Sequence, residues 1–227
     1  KSLILKNKLN HVAFIMDGNN RWSKKKNISK FEAYKKGAIK LIEITKFIFK
    51  NYDINYVSSF ALSKHNFRRG SNLINILKKI LFDFLIHSDQ TSNFNFSVKF
   101  IGDLNFLNKK ELEEIRKLES RNLKCKKKLF IYLNYSGKED IFNASKTIYK
   151  LDTFNINTFH KYLSSGDIPD PDILIRTGGY KRISDFMLYQ VSFTELFFTN
   201  KLWPNINKAD IKNYINKFYK IDRKFGN

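Results

Sequence analysis

Apolar and polar positions along the chain follow two periods. Short apolar, β-rich runs occur at His11–Met16, at "INYVSSFAL" from Ile54, at "FSVKFIGD" from Phe96, at "LFIYLNYSG" from Leu129, at "DILIRTGG" from Asp172 and at "ELFF" from Glu195. Each predicts a strand. Between most of them, apolar residues recur every three or four positions, in "KKGAIKLIEITKFIFKNY", "SNLINILKKILFDFLIH", "LNKKELEEIRKLES" and "KEDIFNASKTIYK". Those segments predict helices. The alternation predicts an α/β fold with a central, mostly parallel six-stranded sheet flanked by helices. No repeat, low-complexity linker or composition shift divides the chain, so residues 1–227 are expected to form one domain.

In such a fold ligands bind at the carboxyl ends of the strands, so functional residues should follow the strand runs. The first run leads into Asp17-Gly18-Asn19-Asn20-Arg21 and the second into Ser63-Lys64-His65-Asn66-Phe67-Arg68-Arg69. The fourth leads into Asn134-Tyr135-Ser136-Gly137 and the fifth into Arg176-Thr177-Gly178-Gly179. Two helical stripes add a clue: Ala38, Leu41, Ile42, Thr45 and Phe49 on one helix, and Leu73, Ile76, Leu77, Ile80, Leu81 and Phe84 on the next. On periodicity the favoured reading of both stripes is helices packed on the sheet; the sharper one is the walls of a long apolar tunnel between sheet and helices. Ala61, small and near the end of the second strand, is a candidate lining residue or an ordinary core alanine.

Composition narrows the partners. A hydrophobic fraction of 42% with 15% aromatics argues for a packed core rather than disorder. Forty-two basic side chains against 21 acidic ones leave +21, which attracts anions: nucleic acid, an anionic membrane surface or phosphorylated small molecules. One cysteine, Cys125, excludes an internal disulfide, and four scattered histidines give no Cys/His metal spacing. No apolar run approaches the roughly 18 residues of a membrane span, and "KSLILKNKLN" is too short and polar for a signal peptide. A soluble or surface-attached protein is expected, cytoplasmic or peripheral on a membrane.

Singly, the polar clusters have ordinary readings. Asp17-Gly18 can be a turn, Ser63 and Asn66 can cap a helix, and glycines at 178 and 179 can simply allow unusual φ. Together, four loops at one sheet edge supply a carboxylate, arginines, small hydroxyls and glycines. Arginine forks match phosphate oxygens, free amides at a helix start add donors, and a carboxylate can hold a hard divalent cation. A diphosphate and Mg²⁺ site is the reading that uses them all. No Walker-type lysine loop is present.

The blocks "HVAFIMDGNNRW", "FALSKHNFRR", "NYSGKEDI" and "IRTGGYKRISDFMLYQ" followed by "TELFFTNKLWP", in this order, resemble the cis-prenyltransferases, the family of undecaprenyl and dehydrodolichyl diphosphate synthases. The resemblance implies elongation of an allylic primer such as farnesyl diphosphate with isopentenyl diphosphate, Mg²⁺ as cofactor, and a homodimer. It implies Asp17 as the metal-linked catalytic carboxylate, with Ser63 and Asn66 assisting. Gly18, Asn19, Asn20, Arg21, Trp22, Lys30, Tyr34 and Arg69 would surround the allylic diphosphate. Arg176, Arg182, Ser184 and Gly226 would hold isopentenyl diphosphate, and Glu195 would help organise the metal, from across a dimer interface if not within the chain. A basic nucleic-acid-binding module and a non-catalytic subunit of a prenyltransferase complex are the alternatives, the second disfavoured because Asp17 and Arg21 are both present.

Several positions depart from the family pattern. Tyr34 stands for a histidine, Lys30 for an arginine, His65 and Tyr180 for acids, Ser136 and Lys138 for a glycine and an arginine, and Lys224 for a terminal arginine. Tyr34 can donate a hydrogen bond but cannot serve as an imidazole base. Lys30 keeps the charge and loses the fork.

Overall fold

The computed structural model describes residues 8–67, 71–86, 94–151 and 155–223. Six strands form one sheet: β1 (His11–Ile15), β2 (Tyr56–Ser63), β3 (Ser97–Ile101), β4 (Lys128–Tyr135), β5 (Ile173–Arg176) and β6 (Glu195–Phe198). Their order is β3-β4-β2-β1-β5-β6, and every pairing is parallel. All six lie where the apolar runs predicted them. The sheet is more uniform than the expected mostly parallel one.

The helices are α1 (Asn19–Lys26), α2 (Lys30–Asn51), α3 (Lys64–Phe67), α4 (Ser71–Ile80), α5 (Lys109–Ser120), α6 (Gly137–Lys150) and α7 (Lys208–Phe218). Side chain and backbone fix several starts. Ser29 and Glu32, Asn108 and Glu111, and Asn207 and Asp210 each form a reciprocal capping pair, at α2, α5 and α7. The segment expected as one helix from Ser71 divides: α4 ends at Ile80, and a π-helical turn spans Leu81–Ile86. The sequence reading did not include α7, whose "KADIKNYINKF" buries Ile211, Tyr214, Ile215 and Phe218.

Alternate residues of β1 face opposite layers, as strand geometry requires. Val12 and Phe14 join a core with α2, α5 and α7, while Ala13 and Ile15 join a smaller one built on Phe60, Tyr132 and Phe186. The central strand is therefore buried on both faces. Its amino end is tied down by His11, whose Nδ1 lies 2.6 Å from the Pro169 carbonyl and whose Nε2 lies 2.8 Å from Ser58 Oγ. A carbonyl can only accept, so Nδ1 carries the proton and the Ser58 hydroxyl donates to Nε2. With β1 fixed at its start, its carboxyl end projects a defined loop.

Candidate active site

β1 stops at Ile15 and the chain tightens at once, Asp17 N donating to the Ile15 carbonyl at 3.0 Å. Gly18 then takes φ 115°, and a Cβ there would lie 2.9 Å from Leu202 Cα. Only glycine fits both demands. The Asp17 carbonyl accepts from Thr177 Oγ1 at 2.7 Å and from Trp203 N at 3.0 Å, so two distant segments fix its backbone. The first turn of α1 holds no acidic residue and no side-chain cap, leaving its amides directed at the space beyond the sheet.

The Asp17 carboxylate is held between two arginines. Arg21 Nη2 donates to Oδ1 at 3.2 Å and Arg176 Nη2 donates to Oδ2 at 3.1 Å. Arg176 ends β5, opposite Ile15 in register, and its side chain is only 5% exposed. Its Nη1 donates to the Arg182 carbonyl and, at 2.6 Å, to Ser184 Oγ. Its Nε is buried without a partner. One guanidinium thus braces the loop from Arg182 to Ser184 against Asp17.

The twin glycines shape that loop. Gly178 and Gly179 sit at φ 84° and 86°, and their amides donate to the Lys201 and Thr199 carbonyls, both at 2.8 Å. A Cβ at Gly178 would collide with Arg21 Nη2 and stand 3.1 Å from Asp17 Cβ. The turn delivers Tyr180 among three guanidiniums: those of Arg182, Arg21 and Arg176 lie 4.4, 5.2 and 5.6 Å from its ring centroid.

From these groups a cavity of about 1130 Å³ opens beneath α2 and α4. Its polar end carries Asp17, Gly18, Asn19, Asn20, Arg21, Lys30, Tyr34, Ser63, Asn66, Arg176, Arg182 and Ser184. Its apolar walls include Ala38, Leu41, Ala61, Leu77, Ile80 and Ile131. Both helical stripes pack on the sheet core: Leu41, Ile42, Phe49, Ile80 and Leu81 belong to it, and Ala38, Leu73, Ile76 and Leu77 pack against it; Ala38, Leu41, Leu73, Leu77, Ile80 and Leu81 also line the cavity. Ala61 falls at an irregularity in the β2–β4 register and lines the cavity. Phe84's side chain lies outside the described residues.

The other expected residues are distributed as follows. Ser63 Oγ accepts from Asn66 N at 3.1 Å, capping α3, and both residues still line the cavity. Burial, and next the charge of Asp17, push the Tyr34 phenol above its ordinary value, so it remains a hydrogen-bond donor. Trp22 is not among the lining residues; its Nε1 donates to Asn205 Oδ1 at 2.9 Å and ties α1 to the turn at Trp203–Asn205. Glu195 opens β6, level with Ile173 and hence with Val12, near the opposite end of the sheet from Asp17. Within one chain it therefore stands about 10 Å or more from the strand ends, and it pairs with Arg223 Nε at 3.6 Å. Arg69 and Gly226 lie outside the described residues.

Two supports were not singled out from sequence. Gly37 leaves room for the Asn19 side chain, and its carbonyl accepts from Trp203 Nε1 at 2.8 Å. Asp185 accepts from Ser136 Oγ at 2.6 Å and Lys138 N at 2.9 Å, clipping the loop after β5 to the start of α6. Consequently Asn134, Tyr135 and Ser136 leave the cavity lining to Lys138. A glycine inside a helix was the available signal for the first; nothing local marks the second.

Among the described residues no three His, Cys, Asp or Glu side chains gather as a metal nest. One accessible carboxylate beside an arginine cluster still fits Mg²⁺, which takes one or two protein carboxylates and completes its shell with water and substrate phosphate.

Fold and site together define a class of parallel α/β protein in which an arginine-rich polar cluster at the strand ends heads a cavity with apolar walls. The undecaprenyl diphosphate synthase model of the prenyltransferases matches residues 15–226. An isoprenyl transferase of Helicobacter pylori is 36% identical over 231 residues, covering 97% of both chains. A (2E,6E)-farnesyl-diphosphate-specific ditrans,polycis-undecaprenyl-diphosphate synthase of Buchnera aphidicola is 34% identical over 237 residues, covering 100% of this chain and 94% of its own. The crystal structure of lavandulyl diphosphate synthase from Lavandula x intermedia, in complex with dimethylallyl diphosphate, superposes with a TM-score of 0.87 at 29% identity, covering 96% of this chain and 98% of that one. The chain belongs to the cis-prenyltransferase family. It is a transferase, and the comparisons support neither a nucleic-acid-binding module nor a non-catalytic subunit.

Proposed function

We propose that the protein extends an allylic diphosphate, farnesyl diphosphate or a close analogue, with isopentenyl diphosphate to give a long-chain polyprenyl diphosphate, a precursor of the undecaprenol or dolichol kind. The observation that carries this is the placement of the Asp17–Arg21–Arg176 cluster at the head of a cavity whose body is apolar. Gly18, Asn19, Asn20, Arg21, Lys30 and Tyr34 receive the allylic diphosphate, with Trp22 holding α1 in place and Arg69 as a further ligand. Arg176, Arg182 and Ser184 receive isopentenyl diphosphate, with Gly226 near it.

Mg²⁺, held by Asp17, would neutralise charge on the departing diphosphate. The arginines and α1 amides do the same from fixed positions, lowering the barrier to breaking the allylic C–O bond. The isopentenyl double bond then attacks the freed carbon, a proton is lost, and diphosphate leaves. Ser63 and Asn66, which line the cavity, would position the incoming unit or pass on that proton. Tyr34 cannot be the base and serves as a donor to phosphate.

Each five-carbon unit entering an apolar tunnel would gain about 3 to 4 kcal/mol at roughly 0.8 kcal/mol per CH₂. Release of product would then limit turnover, and mild detergent would accelerate it. Exposed Phe193 and Leu196 beside β6, an edge strand among the described residues, favour a homodimer through that edge, which is also the route by which Glu195 could reach a neighbouring site. The net charge of +21 favours peripheral contact with anionic lipid, whether on a bacterial inner surface or the endoplasmic reticulum. No helix among the described residues is long and apolar enough to cross a membrane.

The test is incorporation of labelled isopentenyl diphosphate into organic-extractable product, with farnesyl diphosphate and Mg²⁺, by the wild type and Asp17→Ala. Polymeric product from the wild type alone is expected. A dimer inactive with varied primers, metals and detergents would overturn the reading.

A further inference from the structure

Tyr180 occupies a position for which the family resemblance expects an acid, and it does something an acid cannot. Its ring has the Arg182 guanidinium at 4.4 Å, that of Arg21 at 5.2 Å and that of Arg176 at 5.6 Å, all within the range at which a cation is drawn to an aromatic face by the ring quadrupole. Three like charges so close repel one another. A carboxylate would hold them by neutralising one; a neutral ring holds them and leaves their charge intact. Asp17 pairs with two of the three and is the one acid doing so among the described residues, which leaves these four side chains with a surplus of two positive charges.

The three arginines are not equally constrained. Arg176 is buried and fastened through both Nη atoms to Asp17, Ser184 and the Arg182 carbonyl. Among the described residues Arg21 donates a single side-chain hydrogen bond, to Asp17 Oδ1 at 3.2 Å, and its side chain is 44% exposed. A long side chain with one partner samples many rotamers. The ring is within 5.2 Å of the arginine assigned to the allylic diphosphate and 4.4 Å of the one assigned to isopentenyl diphosphate. Its own position is set from beneath, because Gly178 and Gly179 are hydrogen-bonded to the chain leaving β6.

We propose that Tyr180 is a positioning residue which gathers Arg21 and Arg182 over its ring, spacing the two diphosphate subsites without cancelling their charge. The assignment of the subsites rests on the prenyl-transfer reading; the gathering of an arginine pair for diphosphate does not. Tyr180 is 46% exposed and contributes little to the core, so replacements should fold.

The experiment compares wild type, Tyr180→Phe, Tyr180→Leu and Tyr180→Glu by calorimetric titration with inorganic pyrophosphate at several salt concentrations, and by KM and kcat for isopentenyl diphosphate. Loss of two ring contacts is expected to weaken pyrophosphate binding and raise KM about five- to tenfold in Tyr180→Leu, with the effect in KM rather than kcat. Tyr180→Phe should retain the wild-type affinity, since the ring and not the hydroxyl is used. Tyr180→Glu should keep the arginines ordered yet bind pyrophosphate more weakly and with a shallower salt dependence, one positive charge having been cancelled. Equal affinities for wild type and Tyr180→Leu, or a Tyr180→Phe as weak as Tyr180→Leu, would overturn the proposal. Should the wild type bind pyrophosphate in the expected Tyr180-dependent way yet make no prenyl product, the prenyl-transfer reading falls and the role of Tyr180 stands.

Discussion

Asp17 and Arg176, 159 residues apart in the chain, meet oxygen to nitrogen at 3.1 Å because β1 and β5 are neighbours whose last residues, Ile15 and Arg176, are in register. The contact is made by sheet topology rather than by a flexible loop. A carboxylate held by a nearly buried guanidinium is oriented before any ligand arrives, which is the arrangement electrostatic catalysis requires.

Asp17→Asn keeps the shape and removes the charge. Product formation should fall at least about 100-fold, while the melting temperature should stay within a few degrees because Asp17 lies partly exposed at the cavity mouth. Radiolabel incorporation and a thermal melt decide it. Activity within tenfold of wild type would remove Asp17 from the chemistry.

Arg176→Lys preserves charge and loses the fork. One ammonium cannot reach Asp17, Ser184 and the Arg182 carbonyl together, so the loop from Arg182 to Ser184 should loosen. A loss of about 2 kcal/mol in denaturant unfolding should accompany a higher KM for isopentenyl diphosphate. An unchanged unfolding midpoint would show that the brace is not structural.

Gly178→Ala must place a Cβ at positive φ and against Arg21. The strain should cost about 1 to 2 kcal/mol, which for a domain of this size lowers the melting temperature by roughly 2 to 8 °C. Activity should drop with it, since Arg21 is displaced. A melt identical to wild type would refute this account of the turn.

His11 links stability to pH. Burial pushes its imidazole down to about 4, whereas in the unfolded chain it titrates at 6.5. Between those values the unfolded state binds the extra proton, so stability falls as pH drops from 6.5 toward 4 and is flat with respect to this group above 6.5. The full loss is on the order of 3 kcal/mol. Urea melts across that range should show the decline in wild type, and a His11→Gln variant, less stable at neutral pH, should lack this component. Parallel pH profiles for the two proteins would contradict it.

Ala61→Phe tests the apolar body of the cavity. A ring at the β2 irregularity would occupy space between sheet and α4, so on the proposed function the products should be shorter, with the rate of the first condensation little changed. Thin-layer chromatography of dephosphorylated products reads this directly. Products of wild-type length would place the chain elsewhere.

The six strands were legible because each is a compact apolar run, and the carboxyl-edge rule then located Asp17, Arg21, Ser63 and Arg176 on one side of the sheet without any side-chain information. What sequence could not supply depends on geometry between distant segments. Glu195 sits in an apolar run beside the chemistry-bearing blocks, yet as the first residue of β6 it falls at the far end of the sheet. Tyr180 reads as a departure from pattern until the two left-handed glycines before it are known to point it at three arginines. The stripe on α4 reads as one continuous helix, because nothing local announces that the ladder widens at Leu81. Trp22 stands next to the arginine that enters the site and turns instead toward Asn205.

That widening has a consequence for how such a protein can change over generations. The polar end is cross-braced by hydrogen bonds from β1, β5 and the segment after β6, so almost any substitution there disturbs several partners. The opposite wall ends in a π-helical turn, where adding or deleting a single residue alters the ladder without touching Asp17 or Arg176. On the proposed function, bond-making and capacity would then lie on separate parts of the chain, so that the size of what is accommodated could change while the residues around Asp17 stay as they are.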